Sequence, residues 1–113
     1  MSVDFGRLSV NTAGTPEKFS GDLAAQAVIR AASVVTSITF LAPEANTGNV
    51  YIGRLGRDGT TATVSSTYGI TLVPGASFSL DNISEKFDNF QGDAATNGDD
   101  IEWSAVFQAG AKA

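Results

Sequence analysis

Turn-forming residues divide the chain from Val34 onward into short runs that alternate apolar with polar side chains, a pattern that specifies strands. The last run is the plainest. In DIEWSAVFQ (100–108), Ile101, Trp103, Ala105 and Phe107 fall on one face, and Glu102, Ser104, Val106 and Gln108 on the other. Successive side chains of a strand point to opposite sides, so one face can be buried while the other meets water. VVTSITFLAP (34–43) reads similarly, with Val34, Thr36, Ile38 and Phe40 on the expected inner face. Val35, Ser37, Thr39 and Leu41 then face outward, and Pro43 stops the run. In NVYIGRL (49–55), Val50 and Ile52 claim the inner face and leave Tyr51 outside. GITLVPGASFSLDN (69–82) holds two strands, Ile70 to Val73 and Phe78 to Asp81. Between them Pro74 and Gly75 suit the two central positions of a type II turn, where the second residue needs a positive φ.

Other punctuation agrees. Asp58-Gly59 predicts a hairpin turn with TATVSS (61–66) as the returning strand, Asn97-Gly98 predicts another turn, and Gly48 sits where the chain should reverse. FGRLSVNT (5–12) puts Leu8 and Val10 on one face, and ISEKFDNF (83–90) reads as a strand or a short irregular segment. GDLAAQAVIRAAS (21–33) fits a helical stripe through Leu23, Ala27, Val28 and Ala31, and also a period of two; its β-rich surroundings favour a strand. The expectation is an all-β chain, a single β-sandwich or jelly-roll domain over 1–113 with about eight short antiparallel strands. Residues 1–20 are expected to form an N-terminal arm or an edge strand.

Composition narrows the function classes. A chain of 113 residues supports one core, and 42% hydrophobic against 17% charged residues is the balance of a folded domain. There is no cysteine and no histidine, which removes thiolate metal sites, disulfides, and the commonest general base and metal ligand. A net charge of −5 with seven scattered basic residues provides no field for a phosphate backbone, so no nucleic-acid partner is expected. The start, MSVDFG, has neither the basic nor the apolar region of a signal peptide, and the most apolar window, 23–42, carries Arg30 among serines and threonines; no membrane span is expected.

The conspicuous polar feature is acidic: Asp81, Glu85, Asp88, Asp93, Asp99, Asp100 and Glu102 are opposed in that stretch only by Lys86. Such oxygens can hold calcium, but the spacing matches no calcium loop, and a solvated acidic edge that discourages strand-to-strand aggregation is the favoured reading. Neither a metal nor a cofactor is expected. Trp103 shares its face with Ile101, Ala105 and Phe107 and is read as core, not as a sugar platform; Tyr51 and Tyr68 are the aromatics expected at the surface. GRLGRDG (53–59) lacks the lysine and the helix of a phosphate-binding loop. Asp100 and Glu102 point the same way with no cleft between them, so catalysis is not expected. Val35, Leu41, Val73 and Val106 fall on outer faces, which suggests that the second face of one sheet is covered, or that the chain self-associates.

Three motifs in order, APEANTGNVYIG, SSTYGITLVPGASFSLDNIS and FDNFQGDAATNGDDIEWSAVF, resemble small virion proteins of tailed bacteriophages. The likeness runs from about Val34 to Phe107 and lies in turns and core positions. It implies a small β-sandwich of the kind found in head decoration (cement) proteins and head fibres. On that footing the expected role is non-enzymatic: a homo-oligomer, most simply a trimer, on the surface of a phage particle and made in the host cytoplasm. It would bind the major capsid protein or another virion protein across capsomers. The expected contact residues are Tyr51, Arg54, Arg57, Tyr68 and Val73. The alternatives are a carbohydrate- or receptor-binding head-fibre module and a small tail or connector protein.

Overall fold

The computed structural model describes residues 2–19, 34–54, 64 and 69–108. The 21–33 segment, the Asp58-Gly59 turn, the TATVSS strand apart from Val64, and the side chains of Arg57 and Tyr68 lie outside the described residues. The described residues form nine strands and no α-helix: β1 (Ser2–Ser9), β2 (Glu17–Lys18), β3 (Val34–Leu41), β4 (Val50–Arg54), β5 (Ile70–Leu72), β6 (Ser77–Leu80), β7 (Glu85–Lys86), β8 (Phe90–Ala94) and β9 (Asp100–Phe107). They make two sheets in which every pairing is antiparallel. The first runs β1-β9-β3-β6, with the short β7 also against β3, and the second runs β2-β8-β4-β5. With β7 set aside, the chain crosses between sheets at every connection except β4–β5, which is the order of a jelly roll. The N-terminal run is an edge strand, paired to β9 over its whole length without a register shift.

Alternation fixes which side of each strand is buried. Leu8, Ile38, Phe40, Ile101, Trp103, Ala105 and Phe107 turn inward from the first sheet; Val50, Ile52, Leu72, Phe90 and Ala94 come from the second. The β9 pattern holds at all four apolar positions. In β3 it holds only in part: Val35, expected outside, is fully buried. The register against β9 shifts between Val35 and Ser37, so a β-bulge at Thr36 moves Val35 onto the same side as Ile38 and Phe40. Thr36 closes the bulge locally, its hydroxyl donating to the Val106 carbonyl at 3.2 Å and its carbonyl accepting the Ile83 N–H at 3.0 Å.

Aromatic rings fill the space between the layers. Phe87, in a single 3-10 turn (Phe87–Asn89) that carries the chain from the first sheet to the second, packs on Phe19, Trp103 and Phe107, with ring centroids 5.8, 4.7 and 5.6 Å apart. Phe40 meets Phe19 and Phe90 at 5.2 and 5.5 Å. Tilted and edge-on contacts of this kind add about 0.5–1.5 kcal/mol each beyond the area they bury. The indole N–H of Trp103 is buried without a hydrogen-bond partner, so the ring is held by packing alone.

Turn chemistry is as the sequence implies at Pro74-Gly75: Gly75 has φ +91°, and the Ala76 N–H donates to the Val73 carbonyl at 2.9 Å. Gly98, φ +87°, does the same for Asn97-Gly98. Gly48 has another reason to be glycine. A Cβ there would lie 2.9 Å from the Thr96 hydroxyl, so the constraint is close approach, not a left-handed backbone. β8 has no counterpart in the apolar pattern because FQGDA carries Gly92 at an inward position. A side chain at Gly92 would run into Ile101 and, at 3.1 Å, Leu8.

Two stability outcomes follow. Phe87→Ala should destabilise the fold by about 3–5 kcal/mol in urea unfolding, since it empties the centre of the ring cluster. Gly92→Val should cost roughly 1–3 kcal/mol through overpacking against Ile101 and Leu8, with the unfolding slope unchanged.

Candidate functional site: a hydrogen-bonded loop end and two outer faces

Four connections, β1–β2, β3–β4, β5–β6 and β8–β9, meet at one end of the sandwich, and the polar residues singled out above are spent there. Asp99, only 6% exposed, accepts the Thr47 N–H through Oδ1 at 3.0 Å and the Gly48 N–H through Oδ2 at 2.8 Å. Asn46 pairs with the backbone of the next residue along, its Nδ2 donating to the Asp100 carbonyl at 2.8 Å and its Oδ1 accepting the Asp100 N–H at 2.9 Å. The Asn-Thr-Gly segment is thereby tied to the Asn-Gly-Asp-Asp segment on the far side of the chain. Asp93 accepts the N–H groups of Gly14 and Ala94 at 2.9 and 2.8 Å, and Asn97 Oδ1 accepts that of Ala13 at 2.7 Å. Backbone bonds complete the end: Val10 to Asp99, Gly98 to Val10, Ala95 to Asn49, and Gly75 and Ala42 across to the neighbouring turn. A carboxylate that accepts two backbone donors makes charge-assisted bonds, which justify a buried charge that would otherwise be costly.

The described acids of this stretch are therefore not simply a solvated edge. Asp100 takes the Ser9 hydroxyl at 2.7 Å, and Arg7 lies between Asp100 (3.6 Å) and Glu102 (2.6 Å). Glu85 binds Arg54 at 2.9 Å and Asn89 at 2.6 Å, whereas Asp81 is exposed. Among the described residues no three acidic side chains gather as a metal site would require.

The expected contact residues do not form one patch. Tyr51 corrects the sequence reading: it is 8% exposed, on the outer face of the second sheet beside the buried Gln91 and Asp93. Alternation placed it correctly on the outer side, but that side is covered. Val64 lies against it, close enough that a Cβ on Gly53 would stand 2.7 Å from Val64 Cγ2. Covering of one sheet's second face is thus present within the chain, on Tyr51, Gln91 and Asp93, not on the valines that suggested it. Arg54 is exposed at the end of β4 and bridged to Glu85. Val73, 55% exposed, lies beyond the other end of that strand, since Leu72 pairs with Val50. Its neighbour along the edge, Ile70, is also exposed. Trp103 is core, as its neighbours imply. The sequence reading missed Phe5, the most exposed large apolar side chain described, at 71%. The signal is the parity of the run 5–12: with Leu8 and Val10 on the inner face, Phe5 falls on the outer one.

No protein-family model matches this chain, and neither does any curated protein or solved structure.

Removing the Asp99 acceptor leaves two backbone N–H groups of the Asn-Thr-Gly segment without their partner. Asp99→Ala should lower stability by about 2–3 kcal/mol in chemical unfolding. Because these carboxylates are already satisfied by N–H donors, millimolar calcium or a chelator should leave the melting temperature of the intact protein unchanged.

Proposed function

We propose that this protein is a non-enzymatic structural component of a bacteriophage particle, a decoration or cement protein that acts as a homo-oligomer and binds the shell across capsomers. One observation carries the reading: Asp93, Asp99, Asn46 and Asn97 are engaged in fixing the shape of a loop end, while large apolar side chains remain at the surface. Val73 and Ile70, 55% and 41% exposed along the β5 edge, are the contact residues this favours. Val73 stands on a turn held rigid by the Gly75 and Ala76 hydrogen bonds, so little freedom is lost when it docks. Burying the exposed part of each adds about 1 kcal/mol, and repetition of the contact over a symmetric oligomer multiplies it. A protein that binds only the assembled shell stabilises it by mass action, without chemistry. The order of the three turn-and-strand motifs supports the assignment to a phage particle.

Particles assembled without the protein should break at lower temperature and under milder osmotic shock than complete ones, and adding it back should restore them. Val73→Asp should bind empty shells at least tenfold more weakly while melting at the same temperature. Light scattering should give three times the 11.6 kDa chain mass. Equal fragility of particles with and without the protein refutes the cement role.

A further inference from the structure

β5 and β6, joined by the Val73–Ala76 turn, are the last strands of the two sheets, and among the described residues neither has a strand on its outer side. Three signs mark this side of the sandwich as unfinished. Ile70 lies on the core side of β5, opposite Ile52, yet is 41% exposed. Phe78, Leu80 and Ile83 pack against the core but are only partly buried. Ile70–Leu72 and Ser77–Leu80 carry no charge, whereas β2 is Glu17–Lys18 and β1 contains Asp4 and Arg7. Edge strands are ordinarily blunted by charge, proline or cover.

The register gives the direction of the unused main-chain groups. The Ala42 N–H donates to the Ala76 carbonyl at 2.9 Å, in step with the Leu41–Ser77 and Phe40–Phe78 pairs. Main-chain bonds alternate along an antiparallel pair, so Phe78 and Leu80 bond to β3, and the N–H and C=O groups of Ser77 and Ser79 point away from the sheet. The 2.8 Å bond between the Thr39 and Ser79 hydroxyls fits, since side chains approach most closely at pairs that exchange no main-chain bonds. Exposed carboxylates bracket the strand. Asp81 follows it, and Glu44 Cγ lies 3.4 Å from where a Cβ on Gly75 would stand. Neither carboxylate is in an ion pair among the described residues.

We propose that the β6 edge accepts an extended peptide strand of another protein, with apolar side chains at alternate positions and a basic residue near each end. The outward groups of Ser77 and Ser79 supply the ladder, and alternate side chains of the guest extend the apolar surface of Phe78, Leu80 and Ile70. Its basic ends meet Glu44 and Asp81, which the rise of six strand residues sets about 20 Å apart. The same carboxylates select against a second copy of this chain. Antiparallel two-fold pairing centred on Phe78 sets Asp81 of each copy opposite Gly75 of the other, beside its Glu44, so like charges meet twice. The inference goes beyond the shell-binding reading and is tested on the isolated protein, so either fails without the other.

The probe is a blocked synthetic peptide of about seven residues, lysine at both ends and valine alternating with threonine between, titrated into the intact protein. It should bind at least tenfold more tightly than the same peptide with glutamate ends, and Glu44→Gln with Asp81→Asn should narrow that difference. Amide exchange at Ser77 and Ser79 should be fast in the free protein and slow with peptide, while Phe78 and Leu80 stay slow throughout. Ser79→Pro removes one outward N–H and no bond to β3, and should reduce binding tenfold or more. Methylating alternate peptide nitrogens tests the ladder without touching the protein's own fold: one phase should abolish binding and the other leave it. No binding, equal loss in both phases, unchanged exchange at Ser77 and Ser79, or a two-fold dimer abolished by Ser79→Pro would overturn the proposal.

Discussion

The ring of Phe87 is the contact through which the two layers become one body. It arrives from the turn that carries the chain between sheets and touches Phe19 next to β2 as well as Trp103 and Phe107 of β9. Neither sheet has a face large enough to stand alone, and four strand pairings of the first and three of the second acquire their stability only when those faces meet. The unpartnered indole N–H of Trp103 fits this arrangement. A ring that must fill the middle of an aromatic cluster is retained for its volume, and the cost of one unmet donor, about 1–3 kcal/mol, is smaller than that of the void left by its loss.

Much of this was legible in the residues. Ile101, Trp103, Ala105 and Phe107 announce their burial by spacing alone, and Pro74-Gly75 names its own turn type. Three elements were not legible, each for a local reason. The bulge at Thr36 shifts the parity of β3 in mid-strand, and no residue type there signals an extra residue. β8 hides because Gly92 takes an inward place where another strand would show an apolar side chain, and only its contact with Ile101 and Leu8 explains why. Tyr51 has the correct side but the wrong exposure, because alternation gives the direction of a side chain and not what lies above it.

The acidic residues show the same limit from the other direction. Read along the chain, seven carboxylates among residues 81–102 look like one feature. In space five of them divide by partner: backbone amides for Asp93 and Asp99, guanidinium groups for Glu85 and Glu102, both a hydroxyl and a guanidinium for Asp100. What they share is a role as acceptors for groups distant in sequence. The proposed role rests on part of this division: Asp93 and Asp99 are used to fix the loop end, and Val73 and Ile70 remain exposed.

The grip of Asp99 on residues 47 and 48 spans 52 and 51 positions of chain, and that of Asp93 on Gly14 spans 79. Bonds with such long loops cannot guide early collapse, because the entropy of closure must be met before they return anything. This end of the roll is then the last part to set. A nascent chain stays incomplete at its β3–β4 corner until residue 99 has left the ribosome.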